Sequence, residues 1–232
     1  MKLLSLDTTT DACSVALMQD DALWSRYELA KMQQARFILP FIQTLLRDAN
    51  MALRDLDAVA VTHGPGSLTG IRIGIGVAQA IAFAHDLPVI PISSLAVLAQ
   101  RAFREKGAKN IVAAIDARMG QVYWGMYQTG VDNLVHACCE DALADPEDVK
   151  DQLQAYASLQ AQWIGVGSGW QMYGDQLNAG KLLMTHQCDE FYPHAFDLLP
   201  LAKQRFLSGE VVAATHIEPL YLRNQVVDSS RR

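Results

Sequence analysis

Between residues 57 and 85 the chain passes from an apolar strand, through a glycine-rich turn, into a helix that is apolar almost all round. The strand covers 58–62, the turn reads Gly64-Pro-Gly-Ser-Leu-Thr-Gly70, and the helix covers 71–85. Glycine lets a backbone approach closely, and Pro65 fixes one dihedral of the turn. The unpaired N–H groups where the helix starts are suited to a phosphate. A plainer reading stands beside it, in which the turn only positions the helix.

The helix itself asks for a neighbour. Gly70, Gly74, Ala78 and Ala82 recur every four residues and so share one face. Ile73, Val77 and Ile81 line an adjoining face, with Ile75 and Phe83 beyond; only Arg72 and Gln79 interrupt the apolar surface before His85. Such a helix is usually buried on more than one side. A glycine inside it costs about 1 kcal/mol relative to alanine. Gly74 and Gly76 therefore call for compensation by a closely approaching backbone. The expectation is a protein–protein contact along this stripe; the alternative is a helix wedged inside its own fold.

A chain of 232 residues is long enough for one large domain or two small ones. Its net charge of −6 argues against a broad nucleic-acid-binding face, so any RNA contact would be local or made by a partner. Met1-Lys2 leads directly into apolar residues, without the three regions of a signal peptide. The apolar run 71–84 is short for a membrane span and carries Arg72. Cys13, Cys138, Cys139 and Cys188 show no CxxC spacing and are expected as reduced thiols in the cytoplasm, without metal.

Strands and helices alternate along the chain. Residues 3–8, 12–18 and 23–29 read as three strands joined by tight turns. Ile38, Phe41, Ile42, Leu45 and Leu46 trace a helix face that either starts near Pro40 or bends there. After the glycine turn and its helix come a strand at 88–92 and a serine-capped helix ending at Lys106 before Gly107. The second half begins in the same way: 111–116 then 121–128 repeats 3–7 then 12–18, with Asp116 in the place of Asp7. This points to an ancestral duplication of a three-stranded unit followed by helices. A helix at 146–159, a strand into the turn at 163–169, a helix at 170–177, a strand at 181–185, a helix at 195–207 and an extended 217–222 follow. The order predicts an α/β protein of two lobes, residues 1–108 and a smaller 109–224, with a polar tail at 225–232 and a ligand cleft between the lobes.

Two places qualify as nucleotide contacts. Asp7-Thr8-Thr9-Thr10 ends the first strand, where two-lobed sugar kinases and actin-like ATPases grip phosphate and metal. The usual glycine of that turn is missing, so Asp7, Thr8 and Thr9 are expected as a vestigial nucleotide site or as a turn bonded to itself. Gly165-Val-Gly-Ser-Gly169 fits neither a Walker A loop nor the dinucleotide fingerprint. None of the six histidines forms an HxxxH or HExxH pair, and neither Ser67 nor Ser168 has the glycines of a nucleophile elbow.

Four segments together resemble one family over nearly the whole chain. They are Leu6-Asp-Thr-Thr-Thr-Asp-Ala-Cys-Ser-Val-Ala-Leu17, His63-Gly-Pro-Gly-Ser-Leu-Thr-Gly-Ile-Arg-Ile-Gly74, Ala114-Ile-Asp-Ala-Arg-Met-Gly-Gln-Val-Tyr-Trp124 and Glu218-Pro-Leu-Tyr-Leu-Arg-Asn224. The chain is similar to the TsaB (YeaZ) family of the bacterial tRNA threonylcarbamoyladenosine system. The resemblance implies an actin-like (ASKHA, ribonuclease H-like) fold with a reduced C-terminal lobe. It implies a non-catalytic paralogue of TsaD, the subunit that transfers threonylcarbamoyl to N6 of adenosine 37 in tRNAs reading ANN codons. The implied partners are TsaD, the ATPase TsaE and a second copy of the chain, with tRNA reached only through the complex and no membrane. The implied contact uses the first two helices, here about 34–49 and 71–85. With the stripe above, this nominates Ile38, Phe41, Ile42, Leu45, Gly70, Ile71, Gly74, Ile75, Ala78 and Ala82 as interface. TsaD holds its metal through an HxxxH pair, and the comparable stretch here, Lys31-Met-Gln-Gln-Ala-Arg-Phe-Ile38, has no histidine. No catalytic residue, metal or cofactor is therefore expected. The rival readings are an independent sugar-kinase-like ATPase using Asp7, Thr8 and the 165–169 loop, and, behind it, a metal-dependent glycopeptidase.

Overall fold

Side chains that alternate along a strand face opposite sides of a sheet, and in this protein both sides are covered. The computed structural model describes residues 1–156, 162–178, 185–186 and 191–223. The first half runs β1 (Lys2–Asp7), β2 (Ala12–Gln19), β3 (Ala22–Leu29), α1 (Gln34–Asp48), β4 (Ala58–Gly64), α2 (Leu68–His85), β5 (Val89–Ser93) and α3 (Ser94–Lys106). The second half runs β6 (Asn110–Arg118), β7 (Gln121–Thr129), β8 (Val135–Ala137), β9 (Ala142–Ala144), α4 (Pro146–Tyr156), β10 (Ile164–Val166), α5 (Ser168–Leu177), β11 (Thr185–His186) and α6 (Ala195–Leu207).

The two halves are built alike. The first sheet has the order β3-β2-β1-β4-β5 and the second β8-β7-β6-β10-β11, with β9 also on β7. In each, the first three strands are antiparallel neighbours and the fourth and fifth add in parallel. The expected duplication is therefore visible as topology, with Asp7 and Asp116 near the ends of equivalent strands. This is the two-lobed actin-like fold.

Five layers result. Leu4, Leu6, Val59 and Val61 face α1 and α2, while Leu3, Ala58 and Ala60 face a central layer made by α3 and α6. Ile111, Ala113 and Ile115 meet that central layer from the second sheet; Val112 and Ala114 face α4 and α5 with Trp124, Trp163 and Trp170. The C-terminal α6 thus belongs to the packing of both halves. Ser5 Oγ donates to the Ala195 carbonyl at 2.7 Å, and Ser14 Oγ accepts from the Ala195 N–H at 2.8 Å. The chain boundary near 108 follows the sheets in sequence, but the central core runs across it.

Element ends follow local chemistry. Ser93 caps α3 by accepting from the N–H groups of Leu95 and Ala96, and Gly107 closes it in the left-handed region at φ +66°. His194 caps α6 through a bond from the Phe196 N–H to Nδ1. α1 begins at Gln34 and carries Pro40 within it, so it neither starts at the proline nor ends there. The strand expected at 88–92 is shifted by one residue, and 217–222 joins no sheet ladder. The last residues of the expected helix at 146–159, most of the expected strand at 181–185, Cys188 and the polar tail lie outside the described residues.

Candidate functional site

The Asp7–Thr10 turn is closed by its own chain. Asp7 is fully buried at the end of β1. Its Oδ1 accepts from Thr62 Oγ1 at 2.6 Å, from Thr9 Oγ1 at 2.7 Å and from the Thr9 N–H at 3.4 Å. Its Oδ2 has no hydrogen-bond partner among the described residues. Burial pushes the Asp7 carboxyl up to about 6, against the opposing pull of the Thr62 and Thr9 bonds. The buried Cys13 thiol nearby is pushed up to about 12 by its own burial and by the Asp7 charge. Thr8 Oγ1 donates to the Gly70 carbonyl at 2.7 Å, Ser67 N–H donates to the Thr9 carbonyl at 2.7 Å, and Gln34 Nε2 donates to the Thr10 carbonyl at 2.7 Å. The structure therefore brings Asp7, Thr8 and Thr9 together beneath α2, all three buried, with their hydrogen-bonding groups directed inward. The second glycine loop is filled in the same manner. A Cβ on Gly169 would lie 2.8 Å from Ala114 Cβ, and Ser168 Oγ accepts from the Asp116 N–H at 3.1 Å.

The face of α2 nominated for a partner is the face that closes this turn. Gly70, Ile71, Gly74, Ile75, Ala78 and Ala82 are buried within the chain itself, as are Ile38, Ile42 and Leu45 of α1; Phe41 is half-buried. A Cβ on Gly70 would overlap the Thr8 carbonyl oxygen, and one on Gly74 would sit 2.6 Å from Thr8 Oγ1 and 3.4 Å from Val61 Cγ2, so what approaches the small-residue stripe is Thr8, just past β1. Within the chain these side chains hold the first lobe together, as the alternative of a helix wedged inside its own fold expects. The physical reason is that α2 packs on the sheet at the point where β1 turns, and only glycine admits Thr8 there.

The outward face of α2 is also apolar. Leu68 is 39% exposed and Phe83 73%, with Gly76, Ala80 and Ala84 also exposed and Ile73 and Val77 half-buried; the exposed Thr69 and Arg72 are polar members of this face. Gly76 faces open space, with no atom within 4 Å of a Cβ built there. Beside it α1 presents Leu39, 52% exposed, and the half-buried pair Phe37 and Phe41, whose ring centroids are 5.8 Å apart. Eighteen residues of α2 average a hydropathy of 1.3, yet only 39% of them are buried.

The comparisons fit this architecture. A family model described as TsaD, tRNA N6-adenosine threonylcarbamoyltransferase, matches residues 28–229. The tRNA threonylcarbamoyladenosine biosynthesis protein TsaB of Escherichia coli (strain K12) is 42% identical over 226 residues, covering 97% of this chain and 96% of that one. The chain belongs to the TsaB family. TsaB of Haemophilus influenzae is 39% identical over 97% of this chain and 95% of its own length. The solved structure of YeaZ from Pseudomonas aeruginosa superposes with a TM-score of 0.85 at 42% identity, covering 95% of this chain and 99% of that one.

For a TsaB-family chain, the four resembling segments now have locations. The first is the buried turn after β1, the second is the strand, turn and helix of β4 and α2, the third is the β6–β7 hairpin, and the described part of the last, 218–223, touches the second and the third. Sequence reasoning missed Gly76, Ala80 and Phe83 as the outward face. It quoted Glu218 to Arg223 as a motif without a place for them. Gly76, Ala80 and Ala84 repeat the four-residue spacing of the inner stripe about half a turn away, so periodicity favoured neither face.

Proposed function

We propose that this TsaB-family chain is a non-catalytic subunit of the threonylcarbamoyltransferase system, required for threonylcarbamoylation of N6 of adenosine 37 in tRNAs reading ANN codons. It acts in the cytoplasm by docking onto TsaD through the outward faces of α1 and α2; TsaE joins the pair. Alone, it covers the same surface with a second copy of itself. One helix carries the reading. The inner face of α2 blocks the turn at Asp7, where an enzyme of this fold would grip phosphate, while its outer face is apolar and open. The family names add support, since the E. coli relative is a tRNA threonylcarbamoyladenosine biosynthesis protein. The chain's charge of −6 leaves tRNA binding to its partners.

Reconstitution tests this directly. TsaD, TsaE, the enzyme that forms threonylcarbamoyl-adenylate, tRNA and this chain are mixed, and modification is measured with each component withheld. Loss of product without this chain is expected, with no ATP turnover by the isolated chain. Full modification in its absence, or turnover abolished by Asp7→Ala, would end the proposal.

A further inference from the structure

The segment after α6 runs from the first lobe to the second. It is anchored first on the outer end of the first sheet, where Val212 pairs both ways with Val89 at 2.8 and 2.9 Å and the Ala214 carbonyl accepts from Gln79 Nε2 at 2.9 Å. It then reaches the turn after β4. The Leu220 N–H donates to the His63 carbonyl at 2.8 Å, and His63 Nδ1 lies 3.1 Å from the Glu218 carbonyl as donor. A Cβ on Gly64, whose φ is +122°, would fall 2.6 Å from the Leu220 carbonyl oxygen, so the notch admits the segment because it is glycine. Tyr221 Oη accepts from Arg72 Nε at 3.1 Å.

Arg223 then enters the other lobe. Its guanidinium donates to the carbonyls of Ala117 at 3.1 Å and Arg118 at 3.3 Å, and to Met119 Sδ at 3.6 Å. These belong to the hairpin turn after β6, where Arg118, Met119 and Gly120 stand at φ +63°, +57° and +79°. Two adjacent non-glycine residues in the left-handed region persist only where the surroundings over-determine them. The Asp116 carboxylate supplies one such hold, accepting from the Arg118 N–H at 2.8 Å, and Arg223 supplies the other. In folds with parallel strands, ligands bind beyond the carboxyl ends of those strands. The turns after β4 and β6 are two such ends, one in each lobe.

We propose that residues 218–223 are a clasp that fixes the two lobes at one angle, with Leu220 holding the end of β4 and Arg223 the hairpin after β6. The lobes share a core through α3 and α6; the clasp ties them again at the ends of β4 and β6. The two lobes are thereby held as one rigid body, whichever partner the chain serves.

Amide hydrogen exchange on the full chain tests the clasp with Arg223→Ala. Losing charge-assisted bonds should speed exchange about tenfold at residues 117–121 and, in the other lobe, at 63–70, with residues 110–116 and α6 unchanged. Arg223→Lys keeps the charge but not the fork, and intermediate rates are expected at both places. Unchanged rates overturn the proposal. Acceleration at the hairpin alone also overturns it, because Arg223 would then be a local brace. A uniform rise through β6 and α6 does so as well, since the segment would then belong to the common folding unit.

Discussion

Thr8 Oγ1 donates to the Gly70 carbonyl, and a Cβ on Gly70 would overlap the Thr8 carbonyl oxygen in return. This reciprocal fit joins the first strand to the first turn of α2. It gives Gly70 and Gly74 an internal purpose, because each makes room for the turn at Asp7. The apolar character of the opposite face then has no internal explanation.

Two glycines two positions apart should respond with opposite sign. Gly74→Ala drives a methyl against Thr8 Oγ1 and Val61 and is expected to destabilise by about 2 kcal/mol. Gly76→Ala meets open space in an exposed helix and should stabilise by about 0.5–1 kcal/mol. Thermal and urea unfolding of the isolated chain decide it; a shared sign contradicts the assignment of faces.

The outward face can be tested without touching the core. Gly76→Leu and Ala80→Glu should leave the melting temperature within a few degrees of the parent, as surface changes do. Both should remove co-elution with TsaD and lower tRNA modification at least about tenfold, since a charge or a bulk is forced into an apolar contact. Wild-type co-elution by both variants would place the partner elsewhere.

Much of the fold was legible because the periods were clean. Ser93 with Gly107 marked both ends of α3, and the alternation of Leu3, Leu4, Ser5 and Leu6 marked a strand covered on both sides. The duplication was legible from Asp7 and Asp116. The site was less so. Gly74 and Gly76 look alike in a sequence, and only the place where Thr8 meets the helix separates an internal notch from an open one. Arg223 was unreadable as a tie because its partners are backbone carbonyls, which any residues supply.

Asp7 should weaken the fold at neutral pH. Its folded-state pKa, about 6, lies above the ordinary 3.8, so the folded state binds the proton more tightly. That contribution is complete below the ordinary value and is lost as pH rises through about 6. Asp7→Asn removes the buried charge and keeps an oxygen for Thr62 and Thr9. Its stability relative to the parent should therefore improve by about 2 kcal/mol between pH 4 and pH 7. Urea titrations at the two pH values measure the difference, and a constant gap would mean that Asp7 is ionised without cost.

His194 should act with the opposite sign over an overlapping range. Burial, then the charges of Arg101 and Arg104, hold it down to about 4 from an ordinary 6.5. Its Nδ1 accepts from the Phe196 N–H, which requires the neutral ring, and the ring stacks on Tyr27 at 5.0 Å between centroids. The folded state thus sheds the proton: the contribution is complete above 6.5 and is lost as pH falls toward 4. Asparagine is a good helix cap and does not titrate. His194→Asn gives up the stacking at every pH, which sets a constant offset, but should flatten the acid limb by about 2 kcal/mol between pH 7 and pH 5. The parent's own profile combines the two groups, with Asp7 gaining stability over much of the range in which His194 loses it. Only the single variants separate them. Parallel profiles for His194→Asn and the parent would show that the start of α6 opens to water before the ring is protonated.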